Sequence, residues 1–118
     1  GNGKQQKTYL HVNELIEGMI YLSETNLSKN SNPIFNLGPG ENSVKVSWIA
    51  EQVVLKLSPN AEIIYEYQDR GWIGDIPKFS YNTKKAKSFG WSPKMNSKQA
   101  INLAIEEIFK DIKNKKIQ

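Results

Sequence analysis

The residues best suited to chemistry in this 118-residue chain lie in "YQDRGWIGDIPKF", positions 67–79, which carries its only arginine, Arg70. The other fifteen of its sixteen cationic side chains are lysines. Arginine offers a planar fork of donors that grips a carboxylate or phosphate with two bonds and keeps its charge, whereas lysine is a point charge. Around Arg70, Gly71 and Gly74 permit close backbone approach, Trp72 offers a flat apolar surface and Asp75 accepts hydrogen bonds from hydroxyls. This set suits a phosphorylated sugar or a nucleotide. It suits equally well an ion pair of Arg70 with Asp69 or Asp75 that braces the loop.

Other chemistries are poorly supplied. Without cysteine there is no disulfide framework, thiolate metal site or cysteine nucleophile, and a lone histidine, His11, argues against a multi-histidine metal centre. A hydrolase elbow with a glycine-flanked serine is missing too. His11 lies between Leu10 and Val12 and reads as structural. "NLGPGEN", 36–42, is glycine-rich and comes between a strand and a helix. It has neither G-x-G-x-x-G nor a Walker lysine, and Pro39 removes an amide donor, so it reads as a turn and not a phosphate loop. Tyr81 and Lys85 match the Y-x-x-x-K pair of nicotinamide enzymes, but five tyrosines and fifteen lysines in 118 residues give ~0.6 such matches by chance. They read as residues of a helix start.

Charge divides unevenly. Residues 1–77 hold six cations against nine anions, a net of −3, and the remainder holds ten lysines against three acids, a net of +7. The lysines come without interleaved aromatics, so a solvated face is expected, with nucleic-acid binding the less favoured reading. No apolar run approaches the ~20 residues of a membrane span, and the lack of cysteine fits a reducing, cytoplasmic setting. Gly1 stands where a methionine is expected, so the start is either processed or internal to something longer.

The elements that must position these residues follow from periodicity. Asn13 is expected to cap a helix over 14–22 whose buried stripe is Leu15, Ile16, Met19 and Ile20. "PIFNLG" (33–38) reads as a strand, and Val46, Ile49, Ala50, Val53, Val54 and Leu57 mark a helix that Pro59 ends. "EIIYEY" (62–67) reads as a strand, followed by the arginine loop and the short extended "KFSY" (78–81). Thr83 is expected to cap a two-turn helix stopping at Gly90. Asn96 and Gln99 form a capping box for a last helix that buries Ala100, Ile101, Ala104, Ile105, Ile108 and Ile112. The expectation is one mixed α/β domain over 1–118, with about four helices, three or four short strands, and a basic helix end or tail at 110–118.

Taken in order, these segments resemble one family. "GNGKQQKTYLHVNEL" resembles the G-x-G-x-Q-x-R-x-(F/Y)-x-(H/Y)-V-x-D segment of extended short-chain dehydrogenase/reductases, the NAD-dependent epimerase/dehydratases typified by UDP-glucose 4-epimerase. "IFNLGPGENSVKVSWIAEQV" is similar to the family's strand, turn and helix, and "RGWIGDIPKFSYNTKKAKSFGWSPKMNSKQAI" to its closing run. The likeness covers nearly the whole chain and implies the C-terminal, substrate-binding half. The Rossmann half, with its NAD loop and catalytic residues, is not in this sequence.

Carried over by position, Lys7 takes the place of an arginine that contacts the diphosphate of a nucleotide sugar in many members, and Gln5 falls on the motif's glutamine. Arg70, Trp72 and Asp75 fall in the loop that supplies a second arginine and an aspartate, with Trp72 where that arginine often stands and Arg70 displaced upstream. Glu14 replaces the motif's aspartate and reads as structural. The resemblance implies a UDP-sugar or related ligand, NAD held by the other half, and no catalytic residue in this chain. The competing readings are a stand-alone nucleotide-sugar binding module and a basic nucleic-acid binder.

Overall fold

The computed structural model describes residues 1–25, 33–39, 43–68, 72, 74, 76 and 78–115. In chain order they form β1 (Gln6–Lys7), α1 (Val12–Glu24), β2 (Val44–Lys45), α2 (Val46–Leu57), α3 (Lys84–Ser88) and α4 (Ser97–Lys115). The mixed α/β class is as expected. β1 and β2 pair antiparallel, Gln6 opposite Lys45 and Lys7 opposite Val44, and a single parallel bridge joins Gln6 to Lys78. "PIFNLG" and "EIIYEY" form no strand among the described residues. Their β-branched and aromatic residues favour extended chain, but a strand also needs a neighbouring edge to complete its ladder.

Local signals fix the helix ends. The backbone N–H of Asn96 donates to Gln99 Oε1 (2.9 Å) and that of Gln99 to Asn96 Oδ1 (3.0 Å), which is the expected capping box at the start of α4. α3 stops at Gly90 (φ +91°), with Trp91 N–H donating to the Ala86 carbonyl and Gly90 N–H to that of Lys87, a Schellman arrangement. Two caps differ from expectation. Asn82 Oδ1, not Thr83, accepts from the Lys84 amide (3.1 Å). α1 begins at Val12 and is capped by His11, whose Nδ1 accepts from the Asn13 amide (3.3 Å), so Asn13 lies inside the helix. His11 Nε2 lies 3.0 Å from Glu107 Oε2 on α4, and with Nδ1 accepting, Nε2 is left as the donor. The buried ring thus ties two helices together, the structural role expected of it.

Among the described residues two small clusters make the core. Leu22, Ala86 and Trp91 pack with Leu10, Phe35, Leu37 and Phe89, and Val44, Ile101 and Ile105 pack with Tyr9, Trp48, Ile49 and Leu57. Gly18 lets α1 lie flat on Trp91, because a Cβ there would come within 2.5 Å of the indole. Glu14, buried as expected of a structural residue, accepts from the amides of Lys94 (2.6 Å) and Met95 (3.1 Å) and so fastens α1 to the turn before α4.

The expected stripes fare differently. Ala100, Ile101 and Ile105 of α4 are buried, but Ile108 and Ile112 are exposed. On α1 the four stripe residues face outward, Ile16 at 49% and Met19 at 58% exposure, and α2 has no fully buried residue. The cause is visible in the contacts: α1 turns Glu14, Gly18 and Leu22 inward, where a small residue is needed against Trp91. The radius of gyration, 17.6 Å, exceeds the ~13.5 Å of a closed domain of this length. An apolar helix face of this kind seeks cover. The polypeptide is expected to bind an apolar-surface dye such as ANS and to self-associate in light scattering. A clean monomer without dye binding would contradict that expectation.

Candidate functional site

The N-terminal segment organises the site. Gly3 adopts φ +71°, and a Cβ there would collide with the Tyr65 ring (2.6 Å) and approach Ser47 Cβ (3.0 Å), so only glycine lets the chain pass between them. The carbonyls of Gly3 and Gln5 accept from the Ser47 (2.9 Å) and Val46 (3.0 Å) amides, the first two of α2. These amides would otherwise be open to an anion. The first two amides of α2 are therefore not open to a phosphate, and residues 40–42 of the turn before it lie outside the described residues.

Gln5 is buried (5% exposed) and Lys7, on β1, is half-buried. Gln6 turns the other way and accepts from Ser43 Oγ (3.0 Å). The same segment clasps the arginine loop at both ends. Asn2 N–H donates to the Gln68 carbonyl (2.9 Å) and Glu66 N–H to that of Gly1 (3.1 Å), while Lys78 bridges to Gln6. The loop that starts after Gln68 and ends before Lys78 thus begins and finishes beside the segment that carries Gln5 and Lys7.

Of the residues expected to bind ligand, Gln5, Lys7 and Trp72 are described; Arg70 and Asp75 lie outside the described residues. Trp72 is 70% exposed and its six-membered ring lies against Gly74, where a Cβ would come within 2.3 Å. Sequence reasoning missed a cavity of about 310 Å³ beside Gln5, lined by Gly3, Val46, Ala50, Ile63 and Tyr65. The G-x-G at 1–3 is its only sequence signal. A larger apolar groove of about 530 Å³ lies between α1 and residues 33–37, away from these residues.

The rest of the surface offers less. Lys85 lies over Phe35 (5.0 Å) and Tyr81 stacks edge-on with Phe79 (5.2 Å), so the Y-x-x-x-K pair is engaged in packing. Lys98 and Lys113 lie over Trp48 and Phe109. No three His, Asp or Glu side chains cluster as a metal site requires among the described residues, and no described helix is long and apolar enough to cross a membrane.

This chain is similar to UDP-glucuronic acid decarboxylase 2 of Arabidopsis thaliana. The two are 32% identical over 109 residues, 91% of this chain and 22% of the decarboxylase. UDP-glucuronic acid decarboxylase 4 of the same plant is likewise 32% identical over 109 residues, 91% of this chain and 23% of that protein. An uncharacterized protein of Schizosaccharomyces pombe is 25% identical over 126 residues, 92% of this chain and 34% of its own. The chain spans about a fifth to a third of the length of these relatives. No family model matches it.

Proposed function

We propose that this chain is the substrate-binding portion of an NAD-dependent nucleotide-sugar epimerase or dehydratase, contributing binding and orientation and no catalytic residue. The observation that carries the reading is the clasp at both ends of the arginine loop, Asn2 with Gln68 and Gln6 with Lys78, which brings the loop's two ends to Gln5 and Lys7. Support comes from the likeness, over 91% of the chain, to two proteins named for a UDP-sugar reaction. In this reading Lys7 and Arg70 neutralise the diphosphate, Asp75 takes a ligand hydroxyl, and Trp72 and Gln5 complete the wall.

In this reading NAD is not held by this chain. The first two amides of α2, which an anion at that helix end would need, are taken by the carbonyls of Gln5 and Gly3. The cofactor belongs to a Rossmann partner domain, and the exposed face of α1, with Ile16, Met19 and Ile20, is the surface such a domain would cover.

Calorimetric titration of the intact protein with a UDP-sugar tests the reading. Charge-assisted hydrogen bonds contribute about 1.5–3 kcal/mol each, so Arg70→Ala is expected to weaken binding by about 10- to 100-fold, and Lys7→Ala by less because it lacks the fork. Unchanged affinity in both variants would remove these cations from the site.

A further inference from the structure

We propose that the cavity between α1 and the turn at 90–94 binds a guanidinium group. The inference stands apart from the nucleotide-sugar reading and shares no binding residue with it. Glu14, Glu17 and Tyr21 recur at three- and four-residue spacing and so lie on one face of α1; with Gly90, Trp91 and Lys94 they line a cavity of about 270 Å³. Gly90, at φ +91°, leaves room for the Tyr21 hydroxyl, which a Cβ there would meet at 2.5 Å. Two carboxylates lining one space are by themselves only an acidic patch. The second observation is the state of Glu14. It is 6% exposed, its Oε1 is taken by the Lys94 and Met95 amides, and its Oε2 is buried with no hydrogen-bond partner among the described residues. An unpaired carboxylate oxygen in the lining of a cavity calls for a donor from whatever fills it.

The charge and shape of the lining select the donor. Glu17 Oε2 lies 3.9 Å from Lys94 Nζ with both groups largely exposed, so this ammonium offsets one carboxylate only loosely. Two acids against one lysine leave the lining a formal net charge of −1, which a monocation neutralises. A divalent cation such as calcium takes roughly six to eight oxygen ligands, and no cluster of three acidic or histidine side chains exists among the described residues. Among monocations a guanidinium is planar: its edges donate to carboxylates in more than one direction while its face stacks on an aromatic ring. Trp91 and Tyr21 supply such rings in the same lining. The 530 Å³ groove offers no comparable selection, since its only polar side chain is that of Ser23.

Nuclear magnetic resonance of the isotope-labelled protein tests the assignment, with methylguanidinium chloride as the probe and sodium chloride holding the ionic strength constant. The expected result is a saturable shift of the Lys94 and Met95 amides and of the Trp91 indole N–H. Glu17→Gln, at an exposed position of α1, is expected to weaken binding about tenfold, as loss of one charge-assisted hydrogen bond implies. Lys94→Gln is expected to tighten it, because the competing ammonium goes while the backbone amide that Glu14 holds stays. A purely structural role for these side chains would not move the two variants in opposite directions. No saturable shift in the wild type, or equal affinities in all three proteins, would overturn the site. N-acetylarginine amide distinguishes the sources of the group: binding tighter than that of methylguanidinium assigns the cavity to an arginine side chain of another polypeptide, and weaker binding assigns it to a free guanidino compound.

Discussion

Trp91→Ala is expected to cost about 3–5 kcal/mol and to abolish cooperative thermal unfolding near room temperature. Trp91 is the largest member of its cluster, and around it meet Leu22 of α1, Ala86 of α3 and the partly buried Leu10, Phe35, Leu37 and Phe89. Its indole also lies against Gly18, so truncation opens a void that α1 closes only by shifting bodily. Total stabilities of small domains are about 5–15 kcal/mol, and a chain with two small core clusters belongs at the low end. A single deletion of this size therefore removes much of the total. Differential scanning calorimetry provides the check: a cooperative transition within a few degrees of wild type would show that the Trp91 cluster is not what holds α1 and α3 together.

The second large effect is expected at Glu14. Its Oε1 satisfies the Lys94 and Met95 amides in a part-buried position, and the residue is 6% exposed. Glu14→Ala leaves two donors unpaired at about 1–3 kcal/mol each, with partial relief from water entering the space. A loss of roughly 2–4 kcal/mol is therefore expected in urea unfolding. Glu14→Gln keeps an oxygen for the two amides and is expected to recover part of the loss. It does not recover all of it, because its NH2 falls where Oε2 already has no hydrogen-bond partner among the described residues. Equal midpoints for Glu14→Ala and wild type would mean that the turn at 93–95 is held by its own backbone.

These positions show what the sequence could and could not express. The capping box at Asn96 and Gln99 and the stop at Gly90 were legible because both are decided within a few residues. The His11 cap was hidden because an imidazole nitrogen does the work usually done by a short oxygen side chain, and that ring is then committed to Glu107 far along the chain. The stripes on α1 and α2 were legible as apolar faces, yet periodicity says only that a face wants cover and not that this chain provides it. The site behaves likewise. Lys7 and the ends of the arginine loop come together through bonds between residues some seventy positions apart, and no local pattern encodes these. Order along a family resemblance, not residue chemistry, was what pointed to the pairing. The cavity lined by Ala50 and Tyr65 had no sequence signal beyond Gly3, since its floor uses ordinary helix and extended-chain positions.

The double clasp on the arginine loop also bears on how such a site diversifies. With Gln68 and Lys78 pinned to Asn2 and Gln6, the span between them is closed by bonds that do not depend on its contents. Doubling the length of a closed loop costs only ~0.6 kcal/mol, so residues there can be exchanged, inserted or moved along without loosening either core cluster. That makes the span an interchangeable cassette on a fixed mount. Exchange of one residue type for another within the span is the kind of variation such a mount tolerates without renegotiating the fold.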